Sequence, residues 1–138
     1  MPDALLLDTC AALWLLGGGP MSEASLEAIR KSLAANAGIY VSPFTAWEIG
    51  TLVAKQRLPL ALSPEVWFET LVSMPGVRLA ALTPKILLAS TALPGTPPTD
   101  PADRIIAATA RELGQTLITR DSKLLDYAQA GHIRAQAC

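Results

Sequence analysis

Ala4-Leu5-Leu6-Leu7-Asp8-Thr9 and Thr116-Leu117-Ile118-Thr119-Arg120-Asp121 are the two stretches whose reading decides the fold. Each is a short apolar run, with an aspartate at its end or just beyond it. A run as uninterrupted as Leu5-Leu6-Leu7 suits a strand buried on both faces, as in a parallel sheet. In open α/β sheets, binding sites lie beyond the carboxyl ends of the strands. If these two strands are neighbours, Asp8 and Asp121 point into one crevice.

Between them the chain alternates helix and strand signals. Thr9 to Leu16 reads as a short helix stopped by Gly17-Gly18-Gly19-Pro20, and Ser22 to Ala37 as a helix with Ser22 at its N-cap. Ile39-Tyr40-Val41 is a second strand. Ser42-Pro43 opens a helix to about Gln56, and Ser63-Pro64 another to about Ser73, each with Ser at N-cap and Pro at N1. Val77 to Leu82 reads as a third strand, followed by a short helix from Thr83-Pro84. Leu93 to Pro101 is rich in Pro, Thr and Gly and reads as an ordered loop or a lid. Asp100-Pro101 caps a helix to Leu113, stopped by Gly114. After the strand Thr116–Thr119, a short helix runs to Ala130, and a last edge strand lies around Ile133. This alternation argues an α/β sandwich around a mostly parallel sheet.

The 138 residues suffice for one domain, 1–138, with one sizeable core. Half the chain is hydrophobic, 51%, and 17% is charged, which excludes a disordered tail. Eleven Lys and Arg against twelve Asp and Glu give a net charge of -1, which excludes nucleic-acid binding through a broad basic face. A local basic rim is compatible with it. Cys10 and Cys138 form neither a disulfide framework nor a zinc set and read as reduced thiols. The apolar run Ala4 to Gly19 lacks a basic leader, carries Asp3 and Asp8, and is too short to span a bilayer. The expectation is a cytoplasmic protein without membrane contact.

Each acid has a structural reading. Asp8, Asp100 and Asp121 each sit where an N-cap belongs, and Asp103 falls at N3, where a carboxylate suits the helix dipole. Glu48 stands between Ala46-Trp47 and Ile49 inside a helix, where a carboxylate needs a partner or meets Lys55 or water. Capping explains each residue but not the set: the sheet directs Asp8, Asp103 and Asp121 towards one edge. Among the cations, Arg111 reads as solvated surface, whereas Arg120 adjoins Asp121 and reads as a rim residue. His132, after Gly131 in a turn, has no catalytic role assigned. Trp14, Trp47 and Trp67 read as core; Trp67, beside Phe68, is on the helix that could face a partner.

Four blocks together resemble the PIN domain, and more narrowly the VapC-type toxins of bacterial toxin–antitoxin pairs. They are Leu5-Leu6-Leu7-Asp8-Thr9, Ser42-Pro43-Phe44-Thr45-Ala46-Trp47-Glu48-Ile49, Asp100-Pro101-Ala102-Asp103-Arg104-Ile105-Ile106-Ala107-Ala108-Thr109-Ala110 and Leu117-Ile118-Thr119-Arg120-Asp121. The resemblance covers nearly the whole chain, and its third and fourth blocks are the specific ones. It implies an α/β/α sandwich and a Mg²⁺- or Mn²⁺-dependent RNA endonuclease whose acidic site is Asp8, Glu48, Asp103 and Asp121. Asp8, Asp103 and Asp121 would hold the metal, and Glu48 would complete the shell or orient the water. Thr119 matches a site-lining hydroxyl and Arg104 an arginine common in the motif; with Arg120 they form the expected substrate-binding set. The implied partners are an RNA substrate, a VapB-like antitoxin that inserts a segment into the crevice, and a second copy in a homodimer. Two departures, Pro98 in place of His and Ala102 in place of Phe, alter the substrate rim and touch no carboxylate.

The chemistry agrees with the donor set. Mg²⁺ prefers oxygen ligands, and three or four carboxylates without His suit it and disfavour zinc. A phosphate-accepting signalling domain would want an acidic pair at the first strand and an Asp after the third, but Leu82-Thr83 offers none. A phosphatase with an Asp nucleophile would want a second Asp where Cys10 stands. A PIN-like RNA- or protein-binding module with impaired catalysis is the remaining alternative.

Overall fold

The structure, a computed structural model, describes residues 3–138. Five short strands form one parallel sheet: β1 (Leu5–Leu7), β2 (Ile39–Val41), β3 (Val77–Leu79), β4 (Thr116–Thr119) and β5 (Arg134–Ala137), in the order β3-β2-β1-β4-β5. β1 lies between β2 and β4, and Leu5, Leu6 and Leu7 are all buried, as an apolar run without alternation requires.

Parallel strands need crossovers, and helices supply them. They are α1 (Thr9–Gly17), α2 (Glu23–Ala34), α3 (Pro43–Ala54), α4 (Pro64–Val72), α5 (Pro84–Ser90), α6 (Pro101–Leu113) and α7 (Ser122–Gln129). The pleat of β1 sorts them into two layers. Leu5 and Leu7 pack with Ile29 of α2, Ile49 of α3, and Trp67 and Leu71 of α4. Leu6 points the other way, into Ile106, Ala107 and Ala110 of α6 and Leu124 and Tyr127 of α7. The result is the expected α/β/α sandwich. Each buried aliphatic contributes about 1.5–3 kcal/mol, so these two layers outweigh the caps, worth about 1 kcal/mol each.

The caps fix where the helices begin. Ser22, Ser42, Ser63 and Thr83 accept from Ser25 N, Phe44 N, Val66 N and Ile86 N. Ends differ more from expectation. α2 stops at Ala34, ahead of left-handed Asn36 and Gly38, and α3 stops at Ala54, ahead of left-handed Gln56. β3 ends at Leu79 rather than Leu82 because β2 ends at Val41: Ala80 N donates to Val41 O, and beyond it the neighbouring strand has turned into α3. The edge strand β5 begins just after Ile133.

Two side-chain expectations are corrected. Trp47 is not core: it is 61% exposed, because Thr45 and Ile49 take the buried face of α3. Arg104 does not reach the substrate rim. Its Nε donates to Ser90 O at 2.9 Å and its Nη1 to Pro98 O at 3.2 Å. It thereby ties the 91–100 loop to the end of α5. Tyr127 Oη donates to Pro94 O in the same loop, and His132 packs on the Tyr127 ring at 4.8 Å. A β-carbon at Gly95 would collide with the His132 imidazole, so the loop lies tight against α7. The stretch is a strap, and His132 serves its packing.

Arg104→Ala removes two charge-assisted hydrogen bonds, and should lower unfolding stability by about 2 kcal/mol, read by urea denaturation, while opening the strap to proteolysis. A variant as stable as wild type would return Arg104 to the substrate rim.

Candidate active site

The register pairs Leu7 of β1 with Ile118 of β4, so Asp8 stands level with Thr119. Here the strand order reverses: β1 is followed on one side by β2 and on the other by β4, and such a switch point opens a crevice at the carboxyl edge. A cleft of about 460 Å³ occupies it, with Asp8, Glu48, Asp103, Asp121, Arg120 and Cys10 among its lining. A roomier groove of about 660 Å³ runs along α7 and β5, but it holds no cluster of acids. Charge rather than volume marks the site.

Three of the acids arrive through helix starts. Asp8 caps α1, its Oδ1 accepting from Ala11 N at 2.8 Å. Asp121 caps α7, its Oδ2 accepting from Leu124 N at 3.0 Å. Asp100 caps α6 by accepting from Asp103 N at 3.0 Å, which places Asp103 one turn in, on the cleft wall. The capping and cleft readings are therefore both met by the same residues. The positive N-terminal ends of α1, α6 and α7 face this region and favour anionic groups there.

Glu48 comes from α3, and its Oε1 accepts from Thr9 Oγ1 at 2.7 Å. Thr119 is fully buried and does not line the cleft surface. Its hydroxyl donates to Asp8 Oδ2 at 2.5 Å and accepts from Asp121 N at 3.0 Å. It thus couples two acids from opposite ends of the chain. Arg120 is exposed at the rim, and its guanidinium lies 4.1 Å from the centre of the Trp14 ring. Sequence reasoning missed Thr9 and Trp14. Thr9 adjoins Asp8, but only the fold brings it to Glu48, 39 residues away.

Among the described residues no Lys or Arg forms an ion pair with any of these four acids; the ion pairs join Arg30 to Glu27 and Lys85 to Glu112. The cost appears as proton affinity. Burial pushes the Asp103 carboxyl up to about 6, helped by the negative charges of Asp121, Asp100, Glu48 and Asp8. Burial also raises Asp8, against the hydrogen bonds from Thr119 and Ala11, and raises Glu48, against the one from Thr9. Burial and the Asp8 charge push the Cys10 thiol up, which keeps it neutral and a poor ligand.

An oxygen-only set of charged donors fits a hard divalent cation. Among the described residues, no three His, Cys, Asp or Glu side chains already converge into a cage. Mg²⁺ keeps several of its waters, so it does not require a closed cage of side chains.

The family model for the PIN domain matches residues 5–130. Ribonuclease VapC22 of Mycobacterium tuberculosis is 34% identical over 129 residues, covering 89% of this chain and 91% of that protein. The crystal structure of VapBC2 from Rickettsia felis, bound to a DNA fragment from their promoter, superposes with a TM-score of 0.66 at 15% identity, over 97% of this chain and 98% of that one. DNA-bound VapBC from Salmonella typhimurium superposes with a TM-score of 0.58 at 21% identity, over 98% of each chain. At such identities the two structures speak for the fold alone.

Because Asp103 holds its proton more tightly when folded, its contribution to stability is full below about pH 4 and is lost as pH rises through about 6. The metal-free protein should melt lower at pH 7 than at pH 5. Asp103→Asn should flatten that slope. Mn²⁺ at a hundred times its Kd should add about 2.7 kcal/mol at pH 7, and less to Asp8→Asn, in which Asn still caps α1. A wild-type melt indifferent to Mn²⁺ would reduce the acids to caps.

Proposed function

This chain belongs to the PIN domain family, and from the cleft it builds we propose that it is a metal-dependent endoribonuclease, the toxin of a toxin–antitoxin pair. One observation carries the reading: four carboxylates from four separate elements line one cleft at the β1/β4 edge, and among the described residues none of them is in an ion pair. Half-buried negative charge without a counter-charge is costly, so a stable fold keeps it for something that binds there. The likeness to Ribonuclease VapC22 supports ribonuclease chemistry.

Asp8, Asp103 and Asp121 would hold Mg²⁺ or Mn²⁺. When bound, the ion supplies charge to stabilise the phosphate and lowers the pKa of a coordinated water. The chain's own residues do the rest. Asp8 is fixed through both oxygens, by the Ala11 amide and the Thr119 hydroxyl, so it presents the same face without reorganising. Glu48 is anchored through Oε1 to Thr9, which leaves Oε2 to orient the attacking water and take its proton. Its raised proton affinity makes it a better acceptor than a free glutamate. Arg120, held over Trp14 at the rim, would meet a phosphate oxygen of the RNA strand. Thr119 and Arg104 act through their neighbours: Thr119 positions Asp8 and Asp121, and Arg104 secures the strap.

A VapB-like antitoxin would cover the cleft, presenting a cation where the metal sits. Outward-facing Leu62 just before α4, Val66 on it, and Leu87 and Leu88 on α5 would supply apolar surface for the antitoxin and for a second copy of the chain. Trp67 itself is core, at 5% exposure.

Purified protein should cleave single-stranded RNA in Mg²⁺ or Mn²⁺, and EDTA should abolish cleavage. Asp103→Asn and Asp121→Asn should lose it while remaining folded. Thr119→Val, which removes only a supporting hydroxyl, should lose about 10- to 100-fold. Undiminished metal-dependent cleavage by Asp103→Asn would sink the assignment. RNA binding without cleavage would favour the impaired binding module.

A further inference from the structure

An aromatic pair beside the cleft stands outside both apolar layers of the core. Trp47 is 61% exposed, and it stacks on half-buried Phe44 with ring centroids 5.2 Å apart and planes inclined by 24°. Its position follows from α3. β2 pairs Val41 with Leu7 of β1, so Ser42, the N-cap of α3, is level with Asp8. Phe44 and Trp47 lie in the first turns beyond it, at the carboxyl edge of the sheet. Thr45 and Ile49 face the core and Glu48 faces the cleft. Phe44 precedes Glu48 by four residues, which puts their β-carbons about 5–6 Å apart on the helix surface. Continuing round the helix from the core, the order is Ile49, Glu48, Phe44, Trp47. The pair therefore borders the cleft on its Glu48 side.

We propose that Phe44 and Trp47 form a stacking shelf for one unpaired nucleobase of the RNA whose phosphodiester lies at the acids. The inference rests on the nuclease reading and adds to it where the strand runs and why it is single-stranded. Two parallel rings present a flat face to which a third ring adds, and every base offers such a face. A base in a duplex is already stacked, so the shelf selects against paired RNA. Backbone contact at Arg120 and base contact at Trp47 would grip the strand on either side of the carboxylates.

The test is the affinity of a fluorescein-labelled single-stranded oligoribonucleotide in Ca²⁺, by anisotropy, with wild type, Trp47→Ala and Trp47→Phe. Trp47→Ala should bind on the order of 10- to 100-fold more weakly, and Trp47→Phe should retain most of the affinity. In a series of oligonucleotides with one base removed at each position in turn, one abasic position should reproduce the loss. With that oligonucleotide, Trp47→Ala should cost nothing further. Equal affinity of Trp47→Ala and wild type would overturn the shelf, and so would losses that add at every abasic position. A shift from dimer to monomer on Trp47→Ala in sedimentation would overturn it too, by giving the face to a second copy of the chain. Wild type that binds this RNA but does not cleave it in Mg²⁺ or Mn²⁺ counts against the nuclease reading and leaves the shelf standing. Wild type that does not bind it overturns the shelf.

Discussion

β1 and β4 lie side by side through parallel hydrogen bonds that set Leu7 against Ile118. Shifting that ladder by one residue would turn every β1 side chain to the opposite layer. Leu6 would leave the α6–α7 side, and Leu5 and Leu7 would leave the α2–α4 side. The apolar layers thus hold the register, and the register holds Asp8 level with Thr119. From there one hydroxyl reaches both Asp8 and the amide of Asp121. Two aspartates 113 positions apart in the chain (8 and 121) become one unit, without any charge to bind them.

The same aspartates end the strands and start the helices. A cap needs one carboxylate oxygen pointed at the helix amides, which leaves lone pairs turned to the cleft. Capping offsets part of the cost of crowding the acids, because each is held by an amide even when no cation is present. It does not offset all of it: burial first, and the neighbouring negative charges after it, raise the proton affinities of Asp8, Glu48 and Asp103. The site thus combines local stabilisation through backbone amides with unrelieved repulsion between side chains. A divalent cation would relieve that repulsion.

Much of this was legible in the chain itself. Ser-Pro and Asp-Pro pairs mark helix starts by fixed chemistry, and all of those starts are found where they stand. The apolar run at Leu5–Leu7 suited a strand buried on both faces, and it is the central strand β1. What failed depended on distant partners or on angle. β3 ends where β2 runs out of backbone to pair with, and nothing in Ala80-Ala81-Leu82 announces that. Arg104 lies beside Asp103 in sequence, yet the carbonyls of Ser90 and Pro98 draw it away. Trp47 reads as core by residue type, but Thr45 and Ile49 already fill the inward arc of α3, which a helical projection could have revealed.

The central strand of the sheet is made first, and its neighbour on the site side comes among the last elements. Thr119 and Asp8, whose side chains meet, are 111 residues apart in the chain. Contacts of such separation form late, because a long loop must close before they are rewarded. During synthesis, β1 can pair with β2 once Val41 has left the ribosome, but Asp8 has no companion acid from α6 or α7 until most of the chain is out. A truncated product ending before residue 100 would carry Asp8 and Glu48 without Asp103, Asp121 or Thr119. The order of elements therefore delays the acidic centre: Asp8 gains Asp103, Thr119 and Asp121 only after α6, β4 and the start of α7 have been made.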